Sequence, residues 1–281
     1  MISPATPPLP AAVARHYEEL DRLYRELWGE HVHHGLWTTG RESPHAAVLA
    51  LSRHVAHRAR VAPGQRVCDV GCGYGGTARL LAGEYGAHVT GLTITQAQHA
   101  YAVRHTPGTN PRYLLRDWLG NALPDESFDA VIAIESTEHM ADKARCLAEA
   151  FRVLRPGGHL VVCAWLAAER PARWQVRHLL RPICHEGRLP GMGTRTDYER
   201  LLAGAGFVVQ QVEDVSHRVR RTWPICIRRL AAALARDAGY RRMLMDPDFD
   251  DRVFAVTMLR LWAAYHVGAM RYGIFTARRP E

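Results

Sequence analysis

Apolar residues recur at helical spacing from Ala11 to Trp28, at Val13, Tyr17, Leu20, Leu23, Tyr24 and Leu27, which predicts an amphipathic helix. A second helix is predicted from Ser43-Pro44, a capping serine with proline in the first turn, through Val48, Leu51 and Val55 to about Ala59. Beyond Pro63-Gly64 the pattern changes to short apolar strands alternating with helices. Strands are predicted over Arg66 to Val70, His88 to Leu92, Arg112 to Leu115, Phe128 to Ile134 and His159 to Trp165. Helices are predicted over Gly76 to Tyr85, Thr95 to Arg104 and Asp142 to Leu154. Such alternation implies parallel strands joined by right-handed crossovers, hence an α/β, Rossmann-like doubly wound sheet. After Ala168 the pattern loosens, and residues 169–193 are rich in arginine, proline and glycine. A helix near Asp197 to Ala203, a strand over Phe207 to Val212, helical residues 221–265 and a last strand over Ala269 to Ala277 follow. Residues 1–10, proline-rich, are expected to be flexible.

Composition narrows the class. The 281 residues suit one enlarged domain, and 47% hydrophobic with 23% charged residues is ordinary globular usage. No apolar run approaches the roughly 18 residues of a membrane span, and the N-terminus shows no secretory signal pattern. The net charge of +8 comes almost wholly from scattered arginines, with Lys143 the lone lysine, so a nucleic-acid partner is not expected. Cys68 and Cys72 lack the second half of a zinc site, and the six cysteines read as reduced thiols of a cytoplasmic protein.

The chemistry begins where the first strand meets the first helix, at Cys68-Asp69-Val70-Gly71-Cys72-Gly73-Tyr74-Gly75-Gly76. Glycines there let the backbone turn sharply against a nucleotide-like ligand. Gly71, Gly73 and Gly76 would also satisfy a dinucleotide fingerprint. Asp69 argues otherwise: a carboxylate would repel a pyrophosphate but suits the α-ammonium of S-adenosylmethionine. The acid that a nicotinamide oxidoreductase would place after the second strand is replaced by Gly91-Leu92-Thr93.

Val67 to Gly76 resembles motif I of class I S-adenosylmethionine-dependent methyltransferases. Asp117, Pro124 to Asp129 and Arg155-Pro156-Gly157-Gly158 resemble the later motifs in order. Trp28 to Gly35, Gly91 to Gln98, Glu135 to Met140 and Gly268 to Gly273 are similar to the γ-tocopherol methyltransferase branch, with sterol methyltransferases and cyclopropane synthases as more distant cousins. The resemblance implies an N-terminal helical lid over 1–60, a cofactor-binding core over 61–168, and completion of the sheet with inserted lid helices over 169–281. Residues 11–36 are then expected to close over the cofactor as a mobile lid. The resemblance also implies S-adenosyl-L-methionine held by Asp69, Gly71, Cys72, Gly73, Thr93, Gln98, Asp117, Trp118, Tyr17 and His34. Thr93, with Gln98, stands where many class I enzymes use an acid for the ribose.

Methyl transfer needs alignment and exclusion of water, and a base when the acceptor must lose a proton. Glu135, Glu138 and His139 follow the fourth strand and are the candidate catalytic residues, His139 first because imidazole titrates near neutrality. His31, His33 and His34 have no companion ligands, so no metal is expected. Trp174, Trp223, Trp262 and Tyr265 suit a flat or greasy substrate. Arg218, Arg220 and Arg221 would receive a diphosphate only if the acceptor were a prenyl diphosphate, with magnesium. The expected activity is methylation of a small, largely apolar metabolite in natural-product metabolism, carbon first by resemblance, with oxygen or nitrogen as rivals and a non-catalytic binding protein less favoured. The expected partner is a small molecule, without integral membrane association; the sequence leaves a homodimer open.

Overall fold

The computed structural model describes residues 1–4, 8–246 and 253–281. These form one seven-stranded sheet in the order β3-β2-β1-β4-β5-β7-β6. The strands are β1 (Arg66–Val70), β2 (His88–Thr93), β3 (Arg112–Leu115), β4 (Phe128–Ile134), β5 (Leu154–Ala167), β6 (Val208–Asp214) and β7 (Met270–Arg278). β1 to β5 pair in parallel, while β7 enters between β5 and β6 antiparallel to both. Six strands therefore share one direction, as the doubly wound expectation has it, and the last strand, β7, runs against them.

The two faces of the sheet carry separate cores, as the period of two demands. On β4, Ala130, Ile132 and Ile134 belong to one cluster, Val131 and Ala133 to the other. The first face is covered by α1 (Pro10–Glu19), α2 (Asp21–Leu27), α3 (Pro44–Arg58), α4 (Gly76–Tyr85) and α5 (Gln96–Arg104). α6 (Lys143–Val153) covers the second face.

The next segment corrects the sequence reading. Residues 169–193, expected to be loose, hold α7 (Arg173–Gln175), a wider turn over Val176–Leu180 and α8 (Arg181–Glu186). The wider turn runs directly into α8 with helical backbone at Leu180 and Arg181, and Pro182 follows at that junction. α9 (Arg195–Gly204) joins α6 on the second face, and α10 (Ser216–Val219), α11 (Thr222–Arg236), α12 (Ala238–Met245) and α13 (Phe254–His266) complete the chain before β7. Of the helical expectation over 221–265, residues 247–252 lie outside the described residues.

The predicted helix over 11–28 breaks at Leu20, which carries no glycine or proline signal; Leu20 is fully buried in the main core with Leu23 and Leu27. β5 starts earlier than expected: Arg155-Pro156-Gly157-Gly158 does not end the pairing but shifts its register between Phe128 and Ala130 of β4. Nor are the first residues free, because Ile2 pairs with Met192 through two backbone hydrogen bonds of 2.8 and 2.7 Å. Residues 5–7 of that proline-rich stretch lie outside the described residues.

Candidate active site

The turn after β1 opens a cavity, partly open to solvent, at the carboxyl ends of β1, β2 and β4. Open α/β sheets bind ligands there, where strand order reverses. Gly71 and Gly73 line it with positive φ of 77° and 53°. A Cβ on Gly71 would come 2.4 Å from that of Ser136, whereas one on Gly73 would meet only open space. Thr93 and Gln98 also line it, and the Thr93 hydroxyl donates to Gln98 Oε1 at 2.9 Å. Asp117 accepts from the Leu119 amide at 2.9 Å, and Trp118 is anchored by its indole N–H on the Cys146 carbonyl at 3.0 Å.

Asp69 lies buried beneath this turn with Oδ2 unpartnered, and burial pushes its carboxyl up to about 7. A buried acceptor without a donor is costly. An ammonium held at the glycine turn would supply the missing charge and donor, so these residues fit S-adenosylmethionine. Cys72 differs from expectation. Its side chain does not line the cavity but packs under the sheet, where a Cβ on Gly91 would come 2.8 Å from its sulfur, and burial raises its thiol. Only its backbone belongs to the turn.

A second, more enclosed cavity lies between the N-terminal helices and the turn after β4. The two cavities share Tyr17, Val32, Glu135 and His139 as lining. Tyr17 and His139 form the partition, with the hydroxyl 3.0 Å from His139 Nε2. His139 Nδ1 donates to the Arg188 carbonyl at 3.3 Å, leaving Nε2 to accept from Tyr17. Burial lowers this imidazole to about 4.

Glu135 sits in the left-handed region at φ 52°, a strained conformation that bulky residues seldom hold. Its Oε1 accepts from the His34 amide and the Tyr272 hydroxyl, both at 2.7 Å. Its Oε2 accepts from His34 Nδ1 at 3.0 Å and the Trp165 indole at 2.7 Å. Burial alone would raise this carboxyl, but the His34 ring and amide hold it down at about 2. Glu138 lines only the second cavity; burial raises its carboxyl, and the Trp165 amide donates to its Oε1. Lys143 is buried beside it, donating to the carbonyls of Thr137, Glu138 and Met140.

The structure relocates His34 from the expected cofactor contact to the second cavity, as part of a ring cluster with Trp165, Trp223, Tyr265 and Tyr272. Of the aromatics expected to meet substrate, Trp223 lines this cavity, while Trp174 and Trp262 are exposed. Arg218 donates to the Thr38 hydroxyl and Arg221 to the Gly40 carbonyl, on an external groove away from both cavities. His31 and His33 hydrogen-bond with Ser52 and Thr77, and burial lowers both rings. Among the described residues no group of three or more His, Cys, Asp or Glu is arranged around a metal position, and all six cysteines are free and buried. Sequence reasoning missed Trp165 and Tyr272 as partners of Glu135, because their meeting depends on how β5 and β7 pair.

Residues 68–162 match the family model described as a methyltransferase domain. The tocopherol O-methyltransferase of Arabidopsis thaliana is 30% identical over 302 residues, covering 98% of this chain and 84% of that protein. The 27-O-demethylrifamycin SV methyltransferase of Amycolatopsis mediterranei is 30% identical over 285 residues, covering 98% of this chain and all of that one. Among solved structures, the cyclase SpnF superposes with a TM-score of 0.81 at 29% identity, over 100% of this chain and 99% of that one. The motif order, the cavity at the carboxyl ends of the strands and these matches agree: the chain belongs to the class I S-adenosylmethionine-dependent methyltransferases, in the branch of the tocopherol methyltransferases.

Proposed function

We infer that the protein methylates a hydroxyl oxygen of a small, largely apolar metabolite in specialised metabolism. The observation that carries this is the junction of two cavities at Tyr17 and His139, one suited to the cofactor and the other enclosed and mostly aromatic and aliphatic. Bound S-adenosylmethionine supplies a methyl group already activated by the sulfonium. Asp69 would hold its ammonium, Gly71 and Gly73 its approach to the backbone, Thr93 and Gln98 the ribose, and Asp117 and Trp118 the base. Tyr17 would face the junction, beside the reacting carbon.

The protein's remaining tasks are alignment and exclusion of water. α1, α2 and the turn through His34 cover both cavities, consistent with a lid that admits ligands by local opening. The saturated carboxylate of Glu135 suits positioning rather than proton transfer. His139, low in basicity and engaged at both nitrogens, suits the partition. Oxygen is favoured over the carbon acceptor expected from sequence, because two of the relatives that match over 98% of the chain carry O-methylation in their names. Carbon is the second reading, supported by the apolar wall of Val32, Ile183, Leu189 and Leu261. A cytoplasmic location and a homodimer belong to this proposal only as sequence expectations; no described helix is long and apolar enough to cross a membrane.

Calorimetry with S-adenosylhomocysteine and NADH, followed by incubation of methyl-labelled cofactor with alkylated phenols and hydroquinones, tests the reading. Binding of S-adenosylhomocysteine and label on oxygen are expected. Tight NADH binding with none for S-adenosylhomocysteine would remove it, and label on ring carbon would move the acceptor. Ring formation without consumption of methyl donor would instead align the chain with its cyclase neighbour.

A further inference from the structure

We propose that His34 is the group that takes the acceptor's proton, with Glu135 as its orienting partner and the Trp223 indole as the donor that holds the acceptor oxygen. This rests on the methyltransferase reading above and names the chemistry of its second cavity. The carboxylate of Glu135 can only accept, so the 3.0 Å contact places the ring proton of His34 on Nδ1. In that tautomer Nε2 carries a lone pair. Nε2 is buried and has no hydrogen-bond partner, and the residue lines the second cavity. A carboxylate fixing one imidazole nitrogen while the other stays open is the arrangement by which a general base is aimed.

Trp223 supplies the complementary half. Its ring centroid lies 5.2 Å from that of His34, it lines the same cavity, and its Nε1–H is also buried without an acceptor. One open acceptor and one open donor on adjoining rings match a hydroxyl, which gives one hydrogen bond and receives another. An acceptor without a hydroxyl would leave both unsatisfied, each at the cost of a buried unpaired group. The pair therefore selects a hydroxyl-bearing substrate as well as serving its reaction.

The step balances. As the hydroxyl oxygen uses a lone pair to form the new O–CH3 bond, its O–H bond breaks and the proton passes to His34 Nε2. The CH3–S bond breaks with its electron pair going to sulfur, which becomes a neutral thioether. The imidazolium that forms is paired with the Glu135 carboxylate until it releases its proton to solvent.

The test uses the full chain saturated with S-adenosylhomocysteine and para-nitrophenol, whose phenolate form absorbs in the visible. His34→Asn keeps a short donor facing Glu135 and removes the far nitrogen; Trp223→Phe and, on the external groove, Arg218→Gln are companions. The wild-type complex should raise phenolate absorbance above that in buffer at the same pH. His34→Asn should lose that rise at least tenfold while binding S-adenosylhomocysteine as before, Trp223→Phe should weaken nitrophenol binding, and Arg218→Gln should keep the rise. No rise in the wild type, or a rise kept by His34→Asn or lost in Arg218→Gln, would overturn the assignment. Failure of S-adenosylhomocysteine to bind the wild type would instead remove the methyltransferase reading beneath it.

Discussion

Trp165 and Tyr272 are register partners across the antiparallel pair of β5 and β7, and each donates a 2.7 Å hydrogen bond to the Glu135 carboxylate. Directly opposed residues share a face of the sheet, so two strands converge on one buried charge. Tyr272→Phe removes one of the four donors while keeping the ring. A hydrogen bond to a charged group contributes about 1.5–3 kcal/mol, and urea unfolding at neutral pH should show a loss of that size. An unchanged midpoint would mean that the carboxylate does not depend on this donor.

Glu135 also sets an acid limit. Its carboxyl sits at about 2 in the folded protein against an ordinary 4.5. Its contribution to stability is therefore fully present above 4.5 and is lost as pH falls through about 2, on the order of 3 kcal/mol. Glu135→Gln should flatten the pH dependence of stability between those limits. Parallel curves for wild type and variant would contradict the assignment.

Asp69 has the opposite sign. Burial raises its carboxyl from 3.8 to about 7, so its effect on the cofactor-free fold is most favourable below 3.8 and is lost as pH rises through 7. Asp69→Asn should melt above wild type near pH 8 without cofactor, and the gap should close toward pH 4. Cofactor affinity runs the other way, because the ionised carboxyl attracts the ammonium. Calorimetry should show S-adenosylhomocysteine binding strengthening as pH rises through 7, and weakened by about 1.5–3 kcal/mol in the variant above that. A variant that binds as tightly as wild type at pH 8 would free Asp69 from the cofactor.

The N-terminal helices are core as well as cover. Leu20 and Leu23 are 0% and 1% exposed, in the same cluster as Val67 of β1 and Ile132 of β4. Leu23→Ala should cost about 2–5 kcal/mol, as truncations in packed cores do. A change below about half a kcal/mol would leave this segment as the mobile lid expected from sequence, without a part in the core.

The strand–helix alternation, the glycine turn and the acid two residues before it were legible because each is a local requirement. A short continuous apolar run marks a strand covered on both faces, and a tight turn against a ligand needs glycine wherever it occurs. That is why β1 to β4 and the first cavity stand where the pattern put them. Residues Glu135 to His139 were legible as candidates for the same reason, since they end a strand on the ligand side. Their division of labour was not. Glu135 became a saturated anchor through Trp165 and Tyr272, which meet only because β7 inserts antiparallel beside β5, and no local pattern encodes a strand's neighbour. His34 moved from cofactor contact to the wall of the second cavity because a carboxylate 101 positions along the chain took its Nδ1. The sequence determined which groups could do chemistry. Tertiary packing decided which of them kept an open lone pair, because that depends on what fills the space around each atom.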